Sequence, residues 1–228
     1  MSENQVIAAY RKYAENYDLA VKLYHLLGLK IGKYRKMTAD ALELSKGDVV
    51  VELGCGTGLN FSLVLDAIGP DGKLIGVDIT DKMLDHARKR VKEKGWNNVE
   101  LIQSDIADYV FPKELDGIFA TGAIQYSPQY DKIIKQGYEA LKTGKNFVVF
   151  DFKMPQGPSR IFAPILIFFT KAFEANEEYL QRHAWKSIEK YFEKTTFTEG
   201  WGGFVYISVG KKLVTNYHNT KNGKSKHN

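Results

Sequence analysis

The 228-residue chain carries 32 Lys and Arg against 27 Asp and Glu, a formal charge of +5, with 44% hydrophobic residues and one cysteine. That length suits a single domain with a full α/β core, and a lone cysteine excludes an intramolecular disulfide and argues against a cysteine-based zinc site. Lys211, Lys212, Lys221, Lys224 and Lys226, with no acid among them, account for the whole excess charge; the rest is formally neutral and without a basic aromatic stripe, which disfavours nucleic acid as a partner.

In chain order, residues 1–46 read as a helical cap, with Tyr10, Tyr13, Tyr17 and Tyr24 at near-helical spacing. These tyrosines are either a core stripe or the lining of a site entrance. The first residues are polar and charged, without a signal-type apolar run, so a cytoplasmic location is expected. Residues 47–152 then alternate strand and helix patterns. "DVVVEL" (48–53), "KLIGVDI" (73–79), "VELIQSD" (99–105), "LDGIFATG" (115–122) and "NFVVFDF" (146–152) are short apolar runs suited to buried strands. Between them, Leu84, Ala87 and Val91 recur at helical spacing behind the N-cap candidates Thr80 and Asp81, and Ile133, Ile134, Gly137 and Leu141 do so before "KTGK".

That alternation implies βαβ units and a doubly wound, mostly parallel sheet with helices on both faces. Residues 153–195 read as an insertion after the fifth strand, holding "IFAPILIFF" and one helix through "EEYLQRHAWKSIEKYF". The apolar run is too short to span a bilayer; it is either a buried helix or a wall for an acyl chain at a membrane surface. Residues 196–213 supply closing strands around a Gly-Gly turn, giving seven strands in one domain of residues 1–213. The tail, 214–228, is basic, without strong apolar character, and expected to be disordered.

Functional chemistry concentrates at "VELGCGTGLNF" (51–61), a glycine-rich turn between the first strand and first helix, where a parallel sheet binds ligands. The dinucleotide fingerprint needs a glycine at position 59, where this chain has Leu59. Downstream, Asp78 ends the second strand at the distance of a ribose-binding acid, and Asp105 with Ile106 ends the third. Cys55 sits within the glycine turn as a small buried residue rather than a nucleophile.

The set Glu52, Gly54, Gly56 and Gly58, with Asp78 and Asp105, resembles the class I S-adenosylmethionine-dependent methyltransferases, from about Tyr17 to Gly210. The resemblance implies a Rossmann-like sheet and S-adenosylmethionine as cofactor. It implies binding positions at Tyr17, Glu52, Gly54, Cys55, Gly56, Thr57, Gly58, Asp78, Ile79, Met83, Asp105, Ile106 and Thr121: ribose at Asp78, adenine at Asp105 and Met83. No catalytic residue is assigned. Bland alternatives are helix capping for Asp78 and Asp105 and core packing for Met83. A nicotinamide-dependent oxidoreductase and a non-catalytic S-adenosylmethionine-binding protein are the competing readings.

The acceptor is narrowed by absences. The Asn/Asp-Pro-Pro-Tyr turn of base-amino and glutamine-amide methyltransferases is missing from "ATGAIQYSP", and Asp151 has no companion acids for a metal site, so none is expected. The cap and the glycine motif resemble quinone C-methyltransferases and bacterial phosphatidylethanolamine N-methyltransferases, with "VVFDFKM" and the C-terminal segment closer to the latter. Two departures stand against that: Ala123, Ile124, Gln125 and Tyr126 replace a Ser-Leu-Ser-Met stretch, and Arg182, His183, Ala184 and Trp185 replace an Arg-Pro-Trp element. A small or amphipathic acceptor is expected, lipid-like, amine or quinone, with peripheral contact at a membrane surface as its companion reading. His183 is expected to pack rather than act as a base. The oligomeric state is left open.

Overall fold

A computed structural model describes residue 11 and residues 29–162 and 177–214. Helix α1 (Ile31–Asp40) precedes β1 (Val49–Leu53), α2 (Phe61–Ile68), β2 (Lys73–Asp78), α3 (Asp81–Lys94), β3 (Val99–Gln103), β4 (Leu115–Thr121), α4 (Tyr130–Ala140) and β5 (Leu141–Phe152). Helices α5 (Glu177–Gln181) and α6 (Ala184–Tyr191) lead to β6 (Lys194–Gly200) and β7 (Val205–Lys211). The strands form one open sheet in the order β3-β2-β1-β4-β5-β7-β6. β1 to β5 pair parallel, and β7 runs antiparallel to both of its neighbours. The doubly wound, mostly parallel, seven-stranded reading is borne out.

Alternate side chains of each strand serve two cores, as the strand's period of two requires. Val50, Leu74, Phe119, Val148 and Phe150 face the layer holding Leu29, Ile31, Phe61, Val64, Leu84 and Ala87. Val51, Leu53, Ile75, Val77, Ile118 and Val149 face Ile133, Ile134, Ala184 and Ile188. Coverage on both faces explains why the strands read as continuous apolar runs. A Cβ at Gly137 would lie 2.4 Å from the Phe147 ring, so glycine lets α4 approach β5 closely. Asp131 of α4 accepts from Ser187 Oγ, Lys190 Nζ and Tyr191 Oη of α6 at 2.7–2.9 Å, locking those helices together.

Four boundaries differ from the sequence reading. β3 ends at Gln103, so Asp105 lies in the turn beyond it, where its Oδ1 accepts the Ala107 N–H at 2.7 Å. β5 begins at Leu141, taking "KTGK" into the strand: Gly144 bonds the Lys212 carbonyl, and the extended closing pair holds the segment. The single helix expected through "EEYLQRHAWKSIEKYF" is broken at His183, and β6 starts two residues before position 196. The tyrosine stripe, residues 163–169 of the apolar run and the tail from residue 215 lie outside the described residues.

At the sheet edge opposite the glycine turn, Asp116 is buried and accepts from Lys142 Nζ at 2.8 Å and the Val49 N–H at 3.0 Å, with Lys145 Nζ at 3.4 Å. Burial alone raises this carboxyl, but the Lys142 bond, the Val49 N–H and Lys145 outweigh it and hold its pKa below the ordinary value. A depressed folded pKa contributes stability above the unfolded value of about 3.9, lost as pH falls through the folded one. Asp116→Ala is therefore expected to cost about 2–3 kcal/mol at pH 7, by stranding the Val49 N–H and Lys142, while Lys145 keeps Asp48 at 2.9 Å. Urea unfolding at pH 7 and near pH 2.5 checks it, with the gap between wild type and variant narrowing in acid.

Candidate active site

From β1 the chain travels outward through β2 to β3, and the next crossover returns to β4 on the other side of β1. The carboxyl ends of β1 and β4 thus flank the switch point, where open α/β sheets form their ligand crevice. Glu52, Asp78 and Thr121 sit at the ends of β1, β2 and β4.

The three motif glycines all have positive φ (67°, 54° and 76° for Gly54, Gly56 and Gly58), a region that disfavours side chains. Their surroundings separate them. A Cβ on Gly54 would fall 2.3 Å from Ala123 Cβ, and one on Gly58 would fall 2.6 Å from the Phe61 ring, whereas one on Gly56 meets nothing within 4 Å. Two of the glycines answer to the protein's own packing. Gly56 alone opens onto space a ligand can take.

Asp78 stands beside that opening, 8% exposed. Its Oδ2 accepts the Gly56 N–H at 2.8 Å and its Oδ1 the Thr80 N–H at 2.9 Å. Burial raises its pKa, and the two backbone donors work against that rise. The Thr80 hydroxyl adds a third donor, so the carboxylate shapes the loop while keeping acceptor capacity for a ligand hydroxyl. Thr80 occupies the N-cap of α3 without a side-chain capping bond, and Asp78 serves its N–H instead.

Glu52 is fully buried and its Oε1 accepts from Asn60 Nδ2 at 2.5 Å; the same amide donates to Thr121 Oγ1 at 2.9 Å. Glu52 Oε2 and Asn60 Oδ1 have no partner among the described residues. Burial pushes the Glu52 pKa up to about 8, with the Asn60 bond and Arg35 opposing and Asp78 adding. Asn60 is not among the site residues expected from the sequence; an amide at the end of a glycine turn, eight residues beyond a strand-end acid, is the available signal. Thr57 is buried and its carbonyl accepts from Arg90 Nε at 2.9 Å. Ile79 and Ile106 are half-buried, and Met83 is buried on the first turn of α3. Cys55 is a buried thiol whose pKa burial pushes well above its ordinary value. Tyr17 lies outside the described residues.

A second polar group lies past the ends of β4 and β5. Asp151, fully buried, accepts from Tyr179 Oη of α5, from the Phe152 N–H at 2.9 Å and from the Gln125 N–H at 3.4 Å. Burial raises its pKa to about 7, against those three donors. Gln125 donates to the Phe152 and Tyr179 carbonyls and accepts from Tyr206 Oη at 2.8 Å. Arg182 Nη1 donates to the carbonyls of Gln125 and Tyr126, and the Tyr126 and Tyr179 rings lie 4.6 Å apart. This network fastens α5 to the sheet edge. His183 packs 4.5 Å from Trp185, its pKa lowered by burial and by Lys186 and Lys153. Sequence reading saw Asp151 alone, because its partners lie 26 and 28 residues away along the chain.

With this geometry in view, residues 44–213 match the family model described as a methyltransferase domain. The chain belongs to the methyltransferase domain family. The expected resemblance to class I S-adenosylmethionine-dependent methyltransferases is thereby borne out. Among curated proteins, a demethylmenaquinone methyltransferase of Listeria welshimeri is 28% identical over 158 residues, covering 68% of this chain and 66% of that protein. The match thus spans slightly under two thirds of the Listeria relative. A demethylmenaquinone methyltransferase of Lactococcus lactis is 26% identical across 100% of this chain and 94% of its own length. Both relatives carry the name of a quinone methyltransferase, whereas the C-terminal segments had pointed toward the phospholipid group. Among solved structures, a geranyl diphosphate C-methyltransferase of Streptomyces coelicolor superposes with a TM-score of 0.61 at 16% identity, over 80% of this chain and 79% of that one. At that identity the likeness speaks for the fold.

Proposed function

We propose that the chain is an S-adenosylmethionine-dependent methyltransferase whose acceptor is a small amphipathic molecule of the quinone class. The observation that carries the cofactor reading is Gly56 opening onto space beside the Asp78 carboxylate, at the switch point of a methyltransferase-family sheet. Dinucleotide chemistry is disfavoured by Leu59 in the fingerprint's glycine place.

The residues fit the group. Gly56 and Thr57 supply backbone for close approach, Asp78 accepts from the ribose diol, and Asp105, Ile106, Ile79 and Met83 border the adenine. Glu52, Gly54, Cys55, Gly58 and Thr121 shape the floor, and Tyr17 belongs to the entrance on the resemblance alone. When bound, the cofactor supplies a methyl group already activated on a sulfonium. The protein's task is then to hold the acceptor in line and exclude water. The Asp151, Gln125 and Tyr179 network supports this by fastening α5 to the end of β5 and to the turn after β4.

The quinone class rests on the two curated relatives, and peripheral membrane contact follows from so apolar an acceptor. Among the described residues no helix is long and apolar enough to cross a membrane. The test is purified protein with methyl-labelled S-adenosylmethionine and demethylmenaquinone in detergent, products split into lipid and aqueous fractions. Label in methylated quinone is expected. Label only in water-soluble products from an added extract overturns the acceptor class, cofactor binding without turnover on any extract points to a non-catalytic protein, and no cofactor binding overturns the whole reading.

A further inference from the structure

Glu52 takes part in none of the roles above except as floor, and its setting is unusual for a carboxylate. It is wholly inaccessible, has one hydrogen bond, and leaves Oε2 without a partner among the described residues. An ionised carboxylate offers about four acceptor sites, and burying it with one filled is costly. The Asn60 contact of 2.5 Å is below the usual range for an amide donor and at the short end of the range for a carboxylic O–H. Half a turn of the Asn60 amide sets its oxygen against a Glu52 hydroxyl, and Thr121 can donate its own hydroxyl to that oxygen.

We propose that Glu52 is a neutral carboxylic acid in the ligand-free protein, hydrogen-bonded to Asn60, and that it ionises when cationic S-adenosylmethionine reaches the glycine loop. This rests on the cofactor reading above. The O–H bond of Glu52 breaks, the electron pair stays on the carboxylate, and one proton passes to solvent.

Among the described residues, the charged groups facing Glu52 are Asp78, at the end of the neighbouring β2, which resists its ionisation, and Arg35 of α1, which assists it. A pKa of about 8 agrees with the neutral form at pH 7. A sulfonium and an ammonium bound at the glycine loop would favour its charged form, since nearby opposite charge lowers a carboxyl pKa. S-adenosylhomocysteine lacks the methyl group and with it the sulfonium charge, so it drives the ionisation less.

The experiment is calorimetric titration of S-adenosylmethionine into the full chain at pH 7, in phosphate and in Tris, whose ionisation enthalpies differ. Release of close to one proton per ligand bound is expected, with affinity rising up to about tenfold per pH unit as pH approaches 8. Less proton release with S-adenosylhomocysteine is expected, and none with either ligand in Glu52→Gln, which mimics the neutral acid. Binding with the same enthalpy in both buffers overturns the inference and leaves the methyltransferase reading intact. Absence of binding to the wild type overturns both. Equal enthalpies for the wild type in the two buffers overturn the inference even if Glu52→Gln fails to fold.

Discussion

Asp78→Ala is expected to weaken S-adenosylmethionine binding by about a hundredfold or more while leaving a cooperative thermal transition. Two hydrogen bonds from the ribose diol to an ionised acceptor are each worth about 1.5–3 kcal/mol, and 1.4 kcal/mol is tenfold in affinity. The structure adds a second route to the same loss. Asp78 already holds the Gly56 and Thr80 N–H groups, so removing it also frees the loop that must meet the ligand. Stability should change less, because stranding those donors is offset by no longer burying a charge. Asp78→Asn, which keeps one oxygen, should fall between wild type and alanine. Calorimetry beside thermal unfolding measures both effects; a folded alanine variant with unchanged affinity would remove Asp78 from the cofactor site.

Substitution of the glycines should split binding from folding. In Gly56→Val the new side chain enters open space, so the fold has only the strain of φ +54° to absorb, about 1–2 kcal/mol for a left-handed residue. Cofactor binding should nevertheless disappear, because that space is the ligand's. In Gly54→Val the order inverts. Its Cβ would sit 2.3 Å from Ala123 Cβ, so overpacking of about 1–3 kcal/mol adds to the backbone strain and the melting temperature should drop most. Equal melting temperatures for the two variants would remove the packing role given to Gly54, and retained binding in Gly56→Val would mean that Gly56 serves only the turn.

The fold was legible because its signals are local and repeated. Five apolar runs with helix patterns between them leave a doubly wound sheet as the economical arrangement, and the two cores on its faces account for the missing polar alternation along Val49–Leu53. The boundaries that slipped were set by distant partners: "KTGK" is strand because Gly144 and Lys145 pair with Lys212, some 70 residues on. In the site, strand-end acids and turn glycines could be placed from spacing alone. The division of labour among the glycines could not, since Ala123 and Phe61 decide it from elsewhere in space. Nor could the partnership of Asp151 with Tyr179, because nothing in the spacing of the two residues announces that one helix will lie across the end of β5.

The separate duties of the glycines bear on how this domain would decay. A copy released from any need to hold a cofactor would still be selected to fold, and Gly54 and Gly58, wedged against Ala123 and the Phe61 ring, would stay under that selection. Gly56 would then answer only to its backbone angle, which asparagine or aspartate can tolerate. A lineage that has lost its chemistry would therefore be betrayed by drift at position 56 with its neighbours two residues either side unchanged, and would still resemble a working enzyme when only the outer pair is inspected.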